Sequence, residues 1–274
     1  MPIKVIYLIG LAFFIVVFFS LCYQKIEDFF IYYPDSYLDS HPADWHLDCE
    51  EVWFDAEDRT RLHGWFFPIK GDVPVILFFH GNAGNMSHRL DNVRLLLDQK
   101  IQVFIFDYRG YGKSAGKPSE AGLYLDGLAA YDFLVNIKHI PPRKIVAFGR
   151  SLGASVAIEL SQKRKVTSII TESAFTSTKG MAKTMLLFKA FASLFPEHFD
   201  NLGKIPGVNV PKLIIHGEND KIVPFSMGQK LFQAAPHPKY FFPIKGAGHN
   251  DTYLSGGKKY FEAFAAFARD SRLQ

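Results

Sequence analysis

Lys144-Ile145-Val146-Ala147-Phe148-Gly149-Arg150-Ser151-Leu152-Gly153-Ala154 is the stretch on which the fold turns. Its first part is a short apolar, β-branched run, the composition of a buried strand. Its continuation, Ser155-Val156-Ala157-Ile158-Glu159-Leu160, has helical character. Between them Gly149-Arg150-Ser151-Leu152-Gly153 reads G-x-S-x-G, a sharp strand-to-helix turn that lifts a serine off the end of a strand. Glycine is wanted at both ends because a Cβ would collide with neighbouring backbone where the chain reverses so tightly. A bare G-x-S-x-G is as well explained by a glycine-rich turn with an idle serine. The strand before it and the helix after it are what give Ser151 a chemical reading.

The segments around this turn alternate in the same way. A hairpin is expected first, Leu47 to Phe54 and Leu62 to Phe67 about a turn at Asp55-Ala56-Glu57-Asp58. Val75-Ile76-Leu77-Phe78-Phe79 and Gln102 to Asp107 read as strands buried on both faces. Ser87 to Gln99 and Ser119 to Ile137 read as helices, the second with Ser119 and Glu120 as its polar start. After the elbow come strands at Val166 to Thr171, Lys212 to His216 and Tyr240 to Ile244, with helices after Pro224 and from Tyr253 to Ala268. A hairpin followed by strands alternating with helices predicts one α/β domain, a mostly parallel sheet covered by helices on both faces.

A serine hydroxyl is a weak nucleophile unless a base lies in hydrogen-bond reach and a third group holds that base. Leu213-Ile214-Ile215-His216-Gly217-Glu218-Asn219-Asp220 is an apolar strand running into a polar turn, and Asp220 stands where a carboxylate projects from the strand's carboxyl end. Gly246-Ala247-Gly248-His249-Asn250-Asp251 follows the last strand, with small residues that let a histidine loop approach the serine. The expected roles are Ser151 as nucleophile, His249 as general base and then acid, and Asp220 as the group that orients the imidazole. Glu218 and Asp251 are the competing carboxylates. Glu218 lies nearer the strand, and Asp251 is too close in sequence to His249 to orient it across a turn. Oxyanion donors are expected from the N–H of Leu152, directly after the serine, and from the loop His80-Gly81-Asn82-Ala83-Gly84-Asn85, with Asn82 preferred over Ala83. His80 is expected to brace that loop, since His249 already fills the base position.

Together, His80–Asn85 (His-Gly-Asn-Ala-Gly-Asn), Asp107–Gly112 (Asp-Tyr-Arg-Gly-Tyr-Gly) and Gly149–Gly153 give a chain that resembles the membrane-anchored serine-hydrolase branch of the α/β-hydrolase family. The resemblance covers about residues 45–270. It implies the α/β-hydrolase fold, the chain order nucleophile, acid, histidine, and hydrolysis of an ester, thioester or amide without metal or cofactor. It also implies a structural role for the Asp107–Gly112 turn, which leaves Asp107 and Arg109 outside the catalytic set, and a bracing role for Arg150 at the elbow. The leading expectation is a serine esterase or thioesterase acting on acyl esters or lipidated substrates. A peptidase or amidase of the same fold shares the same groups, and a catalytically silent, membrane-tethered binding module is the reading from outside enzymology.

Between strands, residues 174–210 exceed what a minimal domain of this kind needs. Met181 to Phe195 is apolar nearly all round if helical. Two readings fit it: ordinary packing onto the domain, or a small helical cap whose Met185, Phe188 and Phe191 line an acyl pocket or touch a lipid surface.

Ile3 to Tyr23 is the longest apolar run of the chain, with Lys4 as its only charge. About 20 such residues span a bilayer core. A cleaved signal would carry a shorter apolar region, roughly 7–15 residues, and end in a small-x-small site, which Phe19-Ser20-Leu21-Cys22 lacks. The expected layout is an uncleaved single-pass anchor over residues 1–25, a stalk over 26–46 and the hydrolase domain over 47–274. The N-terminal amine and Lys4, set against Lys25 with Glu27 and Asp28, lean towards the N-terminus inside and the domain on the non-cytoplasmic side. The net charge of +4 is scattered, and the longest basic run, Lys163-Arg164-Lys165, is too short to track a phosphate backbone, so nucleic acid is not an expected partner. Two cysteines, Cys22 and Cys49, exclude a disulfide framework or a cysteine–histidine metal site.

Overall fold

Short apolar runs that are buried on both faces make the strands, as the sequence of Val75–Phe79 leads one to expect: all five of its residues are fully buried. In a computed structural model that describes residues 7, 10, 29–186, 188, 189 and 192–273, these strands are β1 (Glu50–Asp55), β2 (Arg61–Phe67), β3 (Val75–Phe79), β4 (Gln102–Asp107), β5 (Ile145–Arg150), β6 (Ser168–Glu172), β7 (Lys212–Gly217) and β8 (Lys239–Ile244). They form one eight-stranded sheet in the order β8-β7-β6-β5-β3-β4-β2-β1. β2 pairs antiparallel with both β1 and β4, and every other pairing is parallel. The carboxyl ends of β3 and β5 to β8 therefore lie along one edge, the edge where ligands bind in open sheets of this kind.

Helices cover both faces, and α5 (Asn201–Lys204) and α6 (Phe225–Ala234) precede and follow β7 in the chain. α1 (Leu90–Asp98) and α7 (Thr252–Asp270) pack on the face that carries Ile76, Phe78, Val146 and Phe148, through Leu90, Val93 and Leu96 of the first and Tyr260, Phe264 and Phe267 of the second. α2 (Glu120–Asp132) and α3 (Leu152–Lys163) lie on the other face, where Gly127 of α2 abuts Val156 of α3 and the ring of Phe79. Ser119 caps α2 by accepting the Gly122 N–H at 3.1 Å, as its position suggested. The helix expected to run on to Ile137 gives way at Phe133 to one wider turn.

The chain divides into two compact units, Met1–Tyr33 and Pro34–Gln274. In the second, Asn85 Nδ2 donates to the carbonyls of Asp35 and Tyr37, and Leu38 joins the core, so this part of the expected stalk packs on the domain. The expected anchor over residues 1–25 lies outside the described residues except at Tyr7 and Gly10. Among the described residues, no helix is long and apolar enough to cross a membrane.

The segment after β6 departs from expectation. Met181 to Phe195 does not form one apolar helix. A five-residue helix, α4 (Thr178–Ala182), is capped by Ser177, turns follow over residues 183–186 and at Phe188 and Lys189, and a single tight turn spans Ala192–Leu194. Thr184 shows why the helix stops: its N–H bonds the Met181 carbonyl three residues back, and its hydroxyl donates to the same carbonyl at 2.7 Å, competing with helix propagation. A helix apolar all round also needs burial on every side, yet Met185 is 42% exposed and Leu186 93%. Phe188 is half-buried, its ring edge-on to Phe195 at 5.8 Å. Phe191 lies outside the described residues.

The elbow itself is built by close approach. A Cβ added to Gly153 would sit 2.6 Å from the His80 carbonyl oxygen and 2.5 Å from the Phe79 carbonyl carbon, and one on Gly149 would sit 2.6 Å from the Ala154 Cα. The first turn of α3 is thus pressed on the end of β3, and β5 on α3. Gly153→Ala is expected to destabilise the domain by about 1–3 kcal/mol through overpacking, lowering Tm by several degrees in a thermal melt. An unchanged Tm would mean that α3 does not press on β3.

Candidate active site

β5 delivers Ser151 to the carboxyl edge in a backbone conformation that side chains rarely adopt, φ +53° and ψ −113°. Such a residue costs about 1–3 kcal/mol and persists only where its surroundings over-determine it. Here they do: the Ser151 N–H is held at 2.8 Å by the Glu172 carbonyl of the neighbouring β6, and α3 begins at the next residue. Ser151 is left 9% exposed, with its hydroxyl facing His249.

The structure brings the three residues singled out in the sequence into one hydrogen-bonded chain. His249 Nε2 lies 3.1 Å from Ser151 Oγ, and His249 Nδ1 lies 2.7 Å from Asp220 Oδ2. An ionised carboxylate only accepts, so Nδ1 carries the ring proton and donates it to Asp220, leaving the Nε2 lone pair for the serine hydroxyl. Asp220 Oδ1 accepts the N–H groups of Ile222 at 2.9 Å and Val223 at 2.8 Å, which turns the loop after β7 around the carboxylate. Burial alone would raise the Asp220 pKa. Hydrogen bonds from His216 and His249, the attraction of the His249 ring and the Val223 N–H outweigh that and hold the carboxyl well below the usual carboxylate range.

Of the competing carboxylates, Asp251 is occupied with a local turn. Asp251 Oδ1 accepts the Gly248 N–H at 2.7 Å and Oδ2 the Ser255 hydroxyl at 3.0 Å, closing the histidine loop on itself. Glu218 is exposed. The loop after β3 passes beside the serine, since a Cβ on Gly81 would lie 3.7 Å from the Ser151 Cβ. Next along, Asn82 has its carbonyl held by the Tyr111 hydroxyl at 2.8 Å. On the other side, Leu152 opens α3, and N–H groups of a first helical turn lack intrahelical acceptors. His80 is fully buried, with Nδ1 2.7 Å from the Gly81 carbonyl and Nε2 3.4 Å from Asp107 Oδ1, the bracing position expected of it. Asp107 accepts the Met86 N–H and Arg109 pairs with Asp58 and Asp126, so both serve the scaffold.

Three residues escaped the reading of the sequence. His216, fully buried on β7, directs Nε2 to the Val223 carbonyl at 2.9 Å, with Asp220 Oδ2 3.4 Å away. Glu172 ends β6 and Ser173 follows it, beneath the elbow. Arg150 Nε reaches Glu172 Oε1 at 2.5 Å, and the Ser173 hydroxyl lies 3.4 Å from the His249 carbonyl. The available signal was polar residues after apolar ones, His216 after Leu213-Ile214-Ile215 and Thr171-Glu172-Ser173 after Ile169-Ile170.

The α/β hydrolase fold family matches residues 74–202. The chain is 36% identical over 247 residues to the alpha/beta hydrolase domain-containing protein WAV2 of Arabidopsis thaliana, with 82% of this chain and 80% of that protein covered. It is 34% identical over 244 residues to protein bem46 of Schizosaccharomyces pombe, covering 85% and 80%. Among solved structures, an esterase of Pyrococcus furiosus superposes with a TM-score of 0.70 at 24% identity, over 86% of this chain and 96% of that one, a likeness of fold.

Because folded Asp220 keeps its charge to lower pH than the unfolded chain, where aspartate titrates near about 3.9, it contributes stability above that pH and loses it as the pH falls further. The urea midpoint of the unmutated protein should therefore drop more steeply below about pH 4 than that of Asp220→Asn. Parallel slopes would show that the carboxylate is not held low.

Proposed function

The chain belongs to the α/β-hydrolase family, and on that premise we propose that it is a membrane-anchored serine hydrolase cleaving acyl esters or thioesters through an acyl-enzyme. The observation that carries the reading is the Ser151–His249–Asp220 hydrogen-bond chain at 3.1 and 2.7 Å, on a serine whose backbone is held in a strained turn. Ser151 Oγ attacks the acyl carbonyl while His249 Nε2 takes its proton, and Asp220 holds the ring and offsets its positive charge. The N–H groups of Leu152 and Asn82 receive the oxyanion. His249 then protonates the departing alcohol or thiol, and a water activated by the same ring releases the acid. The apolar run from Ile3 to Tyr23 anchors the chain in the bilayer, with the domain on the non-cytoplasmic side.

Labelling with a fluorophosphonate tests the mechanism. The unmutated, detergent-solubilised protein is expected to be labelled and Ser151→Ala not. Labelling of both, or of neither while the fold is intact, would remove the serine-hydrolase reading.

Met185, Phe188 and Phe191 bind the acyl chain in this proposal, supported by the apolar content of the segment between β6 and β7. Phe188→Ser is then expected to cut kcat/KM on a dodecanoyl ester about tenfold, the scale of a lost apolar contact, with acetate ester hydrolysis nearly unchanged. Equal losses on both esters would show that Phe188 only packs.

A further inference from the structure

The proposed chemistry requires Ser151 and His249 to meet, yet they are carried by different segments: the elbow after β5 and the loop after β8. One residue, Glu172, reaches the elbow and the start of α7 just beyond the histidine loop. The Glu172 carbonyl accepts the Ser151 N–H at 2.8 Å, and Glu172 is fully buried. Its Oε1 accepts Arg150 Nε at 2.5 Å, from the residue just before the serine, and the Thr252 hydroxyl at 2.7 Å, from three residues beyond His249. Its Oε2 accepts the Tyr260 hydroxyl, two turns further along α7. Around it, Arg150 lies over the Tyr253 ring at 4.8 Å, the Tyr253 hydroxyl donates to Asp91 on α1, and Ser173, the next residue, reaches the His249 carbonyl at 3.4 Å.

A buried carboxylate with three donors satisfied is a rigid node, because losing any one leaves a desolvated group unpaired. Resting on the serine-hydrolase reading above, we propose that Glu172 is a positioning residue: its side chain ties the Arg150–Ser151 elbow to the Thr252–Tyr260 stretch of α7 and so sets the separation of Ser151 Oγ from His249 Nε2. It touches no reacting atom.

Glu172→Gln leaves Arg150 buried without a counter-charge, and that variant alone could report loss of fold. Thr252→Val removes one donor at nearly constant volume, and Thr252→Ser restores it. With p-nitrophenyl butyrate as substrate, Thr252→Val is expected to lower kcat about tenfold, the scale of a sub-ångström misplacement, with KM within about twofold and with fluorophosphonate labelling slowed in step. Thr252→Ser is expected to recover both rates. A crystal structure of Thr252→Val supplies a readout independent of any activity: the Ser151 Oγ–His249 Nε2 distance should lengthen beyond hydrogen-bond reach. If that distance stays at 3.1 Å, or if kcat is unchanged, Glu172 does not position the pair. Should the unmutated protein fail to react with either reagent, the hydrolase reading falls, and the crystallographic distance still decides the positioning claim.

Discussion

The close contact of β3, β5 and α3 is the constraint on which the site depends. Gly149 and Gly153 allow three backbone segments to touch where any Cβ would intrude, and the chain can make that turn only by placing Ser151 at φ +53°. The strain is local, but its containment is not. It takes the Glu172 carbonyl on β6, the β3 end and the first turn of α3 to hold one serine in place. A well-packed α/β sheet is what makes such an arrangement persistent, because its interior is close-packed and does not relax around a strained residue.

Around this point the polar groups are arranged in two tiers. Ser151, His249 and Asp220 form an upper chain at the rim, each with a defined partner. Beneath it Arg150, Glu172, Thr252 and Tyr260 form a buried set. The Ile222 and Val223 amides hold Asp220 Oδ1, and His216 Nε2 lies 3.4 Å from Oδ2, the oxygen that also takes His249 Nδ1.

Much of this was legible beforehand. The strand Val75–Phe79 was read to the residue, because a wholly apolar five-residue run between polar and proline-bearing flanks fits a strand covered on both faces. Ser151, Asp220 and His249 were legible because small residues and polar turns mark the ends of strands, and parallel strands bring those ends to one edge. Glu172 and His216 were not, because a polar residue at a strand end looks the same in sequence whether it faces solvent or an arginine. Met181 to Phe195 misled for another reason: apolar composition is shared by a buried helix and by irregular turns, and Thr184, the residue that breaks the helix, carries only a modest propensity penalty.

The Ser151 amide has a further consequence. Its hydrogen already belongs to the Glu172 carbonyl, so the serine has no donor of its own to offer a developing negative charge. In the proposed mechanism the elbow therefore presents the attacking oxygen and takes its anion receptor from other amides, that of Leu152 at the start of α3 and that of Asn82 in the loop after β3. β3 and β5 are sheet neighbours joined in register from Val75–Ile145 to Phe79–Gly149, yet about seventy residues of chain separate them. Any such receptor comes into being only with tertiary folding, and no peptide cut from the region could carry it.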